Sequence, residues 1–158
     1  MSNSIAIGVA YQDQDITGGS LNNSPIGATT PSTIVGTTLY ATSEIGYSAA
    51  AQGTATQGSS SGKSTGVTLN TSSGQITMDN ATLNTLTNVA FTLTNSTISA
   101  RDVLIVNVAG GNATAGTYNV FTSTLAAGSA VIVLRNISGG NLSEAVVLNF
   151  AVIHAQWT

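Results

Sequence analysis

From Val89 to Thr94 the chain reads Val-Ala-Phe-Thr-Leu-Thr. Val89, Phe91 and Leu93 fall at every second position, the period of a strand with one buried face. The same signal recurs downstream of Gly66. Val67–Leu69 and Gln75–Met78 are short versions of it, and Thr117–Ser123, Ala130–Ile137 and Ala145–His154 are longer ones. Val103–Val108 is closer to continuously apolar, as a strand covered on both faces would be. Gly110 with Gly111, Gly128, and Gly139 with Gly140 punctuate the series where turns are needed. No stretch downstream of Gly66 makes a convincing helix. Closely spaced strands without a helix predict an all-β domain over residues 66–158, an antiparallel β-sandwich or jelly roll.

The first part of the chain has a different texture. Residues 1–52 hold both prolines, Pro25 and Pro31, and few large apolar side chains. Ile5–Val9, Ile16–Leu21 and Thr33–Leu39 read as short strands, too small to bury a core of their own. They require partners, either the C-terminal domain or the same segment of other subunits, or else form a loose arm. Residues 1–52 are therefore expected to form an extended, intertwined β arm for trimerisation or attachment. Residues 53–65, rich in Ser, Gly and Thr, have the composition of a flexible linker to the sandwich.

Within that linker, Gly58 to Thr65 resembles a phosphate-binding loop by eye. The pattern requires four residues between its glycines, and three separate Gly58 from Gly62. A helix must also follow to point its N–H groups at the phosphates, and here a strand pattern follows. Lys63 therefore reads as a solvated linker lysine whose replacement is silent, and no nucleotide is expected.

Charge narrows the functional classes. Charged residues make up 6% of the chain, with three Lys plus Arg against six Asp plus Glu, where a globular protein has about 25% charged residues. So few cations cannot neutralise a run of phosphates, which excludes nucleic-acid binding by a basic patch and a polybasic membrane contact. No apolar run is long enough for a membrane-spanning helix, and the first residues lack the basic start of a signal peptide, so synthesis in a cytoplasm is expected. The absence of cysteine removes disulfides and thiolate metal sites. Asn-x-Ser/Thr triplets at Asn22, Asn70, Asn80, Asn95, Asn112, Asn136 and Asn141 follow from the composition.

Two stretches resemble bacteriophage particle proteins. Ile16 to Pro31 reads Ile-Thr-Gly-Gly-Ser-Leu-Asn-Asn-Ser-Pro-Ile-Gly-Ala-Thr-Thr-Pro, and Thr37, Thr38 and Leu39 follow. It is similar to a motif of phage fibre and spike proteins, with Gly36 standing where that motif often has Phe. The stretch from Ser64 to Ile153 looks like a small β-domain that recurs in phage and prophage virion proteins. The resemblance implies an intertwined homotrimer and a virion structural protein, a capsid decoration, cement or short head-fibre protein assembled in the host cytoplasm. Its partners would be its own copies and the major capsid protein or another virion protein. The rival is a tail fibre or tail-associated protein that recognises a host surface glycan.

Candidate chemistry is sparse. His154, the lone histidine, ends an apolar strand and reads as a strand-end or interface residue. Asp13 and Asp15 form at most a weak calcium pair. Glu44, Asp79 and Glu144 stand apart and read as turn or surface residues. No enzyme activity, cofactor or metal is expected. Arg101, beside Asp102, and Arg135 lie at or in strands; each is either a surface arginine or a contact to a subunit or capsid. Trp157 either covers its own domain's edge or plugs a neighbour. The interface candidates are Ile16, Leu21, Pro25, Ile26, Leu39, Arg101, Arg135 and Trp157.

Overall fold

The computed structural model describes residues 36–58 and 62–155. The expected strands Ile5–Val9 and Ile16–Leu21, the candidates Ile16, Leu21, Pro25, Ile26 and Trp157, and the pair Asp13 and Asp15 lie outside them. The chain divides into two units, Met1–Thr42 and Ser43–Thr158. In the first, residues 36–42 are irregular and exposed, so the end of the expected strand Thr33–Leu39 is not a strand over its described residues.

The second unit is an all-β sandwich of two four-stranded sheets. The first sheet is ordered β1 (Gln52–Thr56), β3 (Ser73–Thr77), β8 (Val147–Ile153), β5 (Val103–Gly110). The second is ordered β2 (Val67–Thr68), β4 (Asn88–Thr94), β7 (Ser129–Asn136), β6 (Tyr118–Ala126). The seven strands expected downstream of Gly66 form within a few residues of their expected limits, but β5, expected to be covered on both faces, leaves Val103 and Ile105 exposed on one.

Two further features depart from expectation. The sheets are mixed, because β1–β3 and β2–β4 pair in parallel while the other pairings are antiparallel. Through β6 each strand passes to the opposite sheet, so β1 and β3 sit side by side in the same direction, with β2 lying across the sandwich between them. A wholly antiparallel sandwich or jelly roll has no such pairs. The eighth strand, β1, lies within the stretch read as a linker. Its inward residues are only Gly53, which packs against Leu69, and Ala55, so it carries no large apolar signal. A Cβ on neighbouring Gly74 would stand 2.7 Å from the Gly53 carbonyl oxygen, so the close parallel pair needs a glycine there.

The core is the alternation made solid. Phe91 and Leu93 of β4 and Ile132 and Leu134 of β7 face Ile76, Leu104, Leu148, Phe150 and Val152 of the other sheet, all buried. Each such side chain contributes about 1.5–3 kcal/mol of transfer free energy. Met78, Leu83, Ile98 and Val146 close the ends from the loops. Central strand β7 is covered partly on its outer face too, where Val133 is buried beside Phe121.

Candidate functional site

The sandwich ends hold the polar side chains that chemistry would use, and the first sheet has one such group at each end. At the end where β8 finishes and β5 begins, the turn Ser99–Asp102 buries the Asp102 side chain to 1% exposure. Asp102 Oδ2 accepts hydrogen bonds from the Ser99 N–H (2.8 Å) and His154 Nδ1 (3.0 Å). Asp102 Oδ1 accepts from the Ser99 hydroxyl (2.7 Å) and the Ala155 N–H (2.9 Å). Burial alone would raise its pKa. The donors at Ser99, then Ala155 and His154, outweigh burial and hold the carboxyl well below the usual carboxylate range.

His154 stands just past β8, and its Nε2 lies 3.4 Å from the Ser72 hydroxyl oxygen. Serine, imidazole and carboxylate thus stand in line, the order of groups in nucleophilic hydrolases. Their connections favour a structural clasp. Asp102 is occupied by donors from the chain before β5 and the chain after β8, and the Ser72 carbonyl accepts the Val152 N–H of β8 (2.8 Å). The expected strand-end position of His154 is where the structure places it, and Asp102 is the partner that the sequence did not reveal.

At the opposite end, where β1 and β3 finish and β8 begins, Lys63 is 3% exposed. Its ammonium donates to the main-chain carbonyls of Asp79 and Glu144. The reading of Lys63 as a solvated linker lysine is therefore wrong. The linker-like composition hides a turn pinned by Gln57. The Gln57 side-chain amide donates to the Lys63 carbonyl (2.9 Å) and the Thr65 carbonyl (2.7 Å), and its Oε1 accepts the Asp79 N–H (2.9 Å). Burial lowers the pKa of Lys63, and the nearby charges of Asp79 and Glu144 offset this in part.

Asp79 is buried rather than a surface turn residue, and Glu144 is half-buried. Asp79 Oδ1 accepts the Ala81 N–H (2.6 Å), and Glu144 Oε1 accepts the Ala113 N–H (2.6 Å). Their second oxygens, Asp79 Oδ2 and Glu144 Oε2, are buried without a hydrogen-bond partner, as is the Tyr118 hydroxyl. Burial, then the adjacent Glu144 carboxylate, push the Tyr118 phenol up. The strand after Lys63 is β2, with no helix to complete a phosphate site.

The described interface candidates are not gathered at one place. Leu39 is exposed in the first unit, Arg101 is exposed at the start of β5, and Arg135 is exposed on the outer face of β7. A groove of about 570 Å³ crosses β1, β3 and β8 and is lined by Gln52, Thr54, Ser73, Gln75 and Asn149 together with Phe150. Its lining is neutral, and Gln75 Nε2 donates to Asn149 Oδ1 (3.0 Å). Among the described residues no group of three or more His, Cys, Asp and Glu is placed to hold a metal ion. No family model, curated protein or solved structure matches the chain.

Proposed function

We propose that the protein is a non-enzymatic structural component of a phage particle, a decoration, cement or short head-fibre protein that binds the outer capsid surface as a homotrimer. The observation that carries this reading is the fibre-like stretch Ile16 to Leu39 joined to a charge-poor β-sandwich. The sandwich's internal polar chemistry supports it. The carboxylate of Asp102, and Gln57, Asn95 and Asn136, bind their own fold's backbone rather than converge on a substrate cavity. On the outer face of the first sheet Val103, Ile105 and Ile153 stand about half exposed in adjoining strands, an apolar row that a neighbouring copy would cover.

Two measurements test the reading. Light scattering on the purified full chain should give a trimer, and a monomer at micromolar concentration overturns the assembly. Electron microscopy of labelled virions should show label spread over the head. Label confined to the tail favours the second reading, a tail-associated receptor-binding protein. The amide-lined groove along β1, β3 and β8 is what favours that reading, since neutral hydrogen-bonding side chains suit the hydroxyls of a sugar.

A further inference from the structure

We propose that Lys63 and Asp79 form an intramolecular amide bond, with Glu144 as the proton carrier. The chain's one lysine is enclosed with two carboxylates, each of which keeps a buried oxygen without a partner. Lys63 Nζ already touches the main-chain carbonyls of both Asp79 and Glu144. Among the described residues the one ion pair within 4.0 Å is His154–Asp102, so Nζ stands farther than that from both carboxylates, and the reaction requires the end of the lysine side chain to rotate from the Asp79 main chain toward the carboxyl of the same residue. Burial lowers the pKa of Lys63, a shift toward the neutral amine that is the nucleophilic form, although the Asp79 and Glu144 charges oppose it in part. Apposition in a fixed site is what makes an otherwise slow condensation of amine and acid feasible.

The step balances without any outside reactant. A proton passes from the Lys63 ammonium to the Asp79 carboxylate, which gives an amine and a carboxylic acid. The amine lone pair attacks Asp79 Cγ, and the Nζ–Cγ bond forms. Glu144 takes the second proton from nitrogen and returns it to the hydroxyl leaving Cγ. The Cγ–O bond breaks, water departs, and Glu144 ends ionised as it began. A cleft of about 500 Å³ beside Asp79, lined by Thr56, Gln57, Thr77 and Asn80, gives that water a way out. The bond would tie the turn before β2 to the chain after β3 and remove the cost of keeping a charged lysine buried.

Mass spectrometry of the denatured full chain decides the matter, because it does not depend on any variant folding. After allowance for removal of the initiator methionine, the polypeptide should be lighter than its sequence by one water. A digest should contain the peptides of Lys63 and Asp79 joined. K63R should restore the full sequence mass. Asp79→Asn should lose ammonia in place of water, since the leaving group is then the amide nitrogen. Glu144→Gln, which keeps the shape of the side chain, should accumulate uncrosslinked chain. An unmodified wild-type mass overturns the proposal, as does loss of water that maps to any other residue pair or to a cyclic imide. Full crosslinking in Glu144→Gln overturns the role of Glu144.

Discussion

At one end of the first sheet the Asp102 carboxylate meets four donors, two from Ser99 and one each from Ala155 and His154. At the other the Lys63 ammonium meets two main-chain carbonyls, while the carboxylates beside it keep oxygens without partners. Both charges are buried, and both tie loops across the sheet. They titrate in opposite senses relative to burial. The Asp102 donors overcome desolvation and favour the ion, whereas at Lys63 desolvation prevails over the neighbouring charges. A buried charge is stabilised when its hydrogen-bonding capacity is filled; a partly filled site holds its ion under protest from the solvent it lost. The first end is therefore a finished clasp, and the second has unspent chemical potential.

The largest effect is expected at the unfinished end. Lys63→Ala leaves the Asp79 and Glu144 carbonyls without their donor and removes the counter-charge from two enclosed carboxylates. The loss should be about 4 kcal/mol, about 2 for each enclosed carbonyl left without its donor. Lys63→Met restores the aliphatic stem and should recover only about 1 kcal/mol of it. Denaturant melts of the two variants against the wild type measure both. A silent Lys63→Ala would return the residue to the solvated role that its surroundings in the sequence suggest.

Asp102 comes next. Asp102→Asn keeps the shape but turns an amide N–H₂ toward donors, and should cost about 3 kcal/mol. The pH dependence follows from the lowered pKa. The unfolded carboxyl titrates near 3.9, about the usual aspartate value. Because the folded group stays ionised to lower pH, its stabilisation is complete above that value and is lost as pH falls toward the folded pKa. Wild-type protein should lose stability between about pH 5 and pH 2, and Asp102→Asn should lose less of its own over the same range. His154→Ala removes one of the four donors from a side chain 45% exposed to solvent, so about 1 kcal/mol is expected. Equal losses for Asp102→Asn and His154→Ala at neutral pH would mean that the imidazole, rather than the loop N–H groups, holds the carboxylate.

The strands were legible and these ends were not, for a physical reason. Alternation reports burial of one face, and Phe91, Leu93, Ile132 and Leu134 all sit where their spacing puts them. The signal fails at β1, whose inward face is Gly53 and Ala55, and at the crossings between sheets, since the pattern is the same for parallel and antiparallel neighbours. Lys63 is hidden by the small residues around it. Its rarity was the available clue, because a chain with three Lys plus Arg has little reason to place one lysine in a turn without a partner. Asn-x-Ser/Thr triplets also carried more than composition. Asn95 Oδ1 accepts from both the N–H and the hydroxyl of Thr97, and Asn136 Oδ1 accepts from both groups of Ser138. Those two asparagines are fully buried, and their amides donate to the carbonyls of Thr71, Leu83 and Gly140. Such turns are local and follow from side-chain reach, but which of them is buried depends on chain packed from far away.

The smallest effect is expected where a charge stays outside. Arg135 projects from the outer face of β7, across from Asn88 and Asn119 in the neighbouring strands, with Val133 two residues before it on the same face. Its solvent contact means that the guanidinium forgoes little hydration in the folded unit, so truncation removes little from the folded state. Arg135→Ala should change the stability of the sandwich by less than about 0.5 kcal/mol in a denaturant melt. The same variant sharpens the contrast with the buried charges through a second readout. If a neighbouring copy packs on this face, the arginine is desolvated only in the assembly, and its loss should shift the dissociation of the homotrimer on dilution while leaving the melt of the separated chain unchanged. A loss above about 1 kcal/mol in the separated chain would instead place Arg135 with Lys63 and Asp102, as a charge that the fold itself depends on.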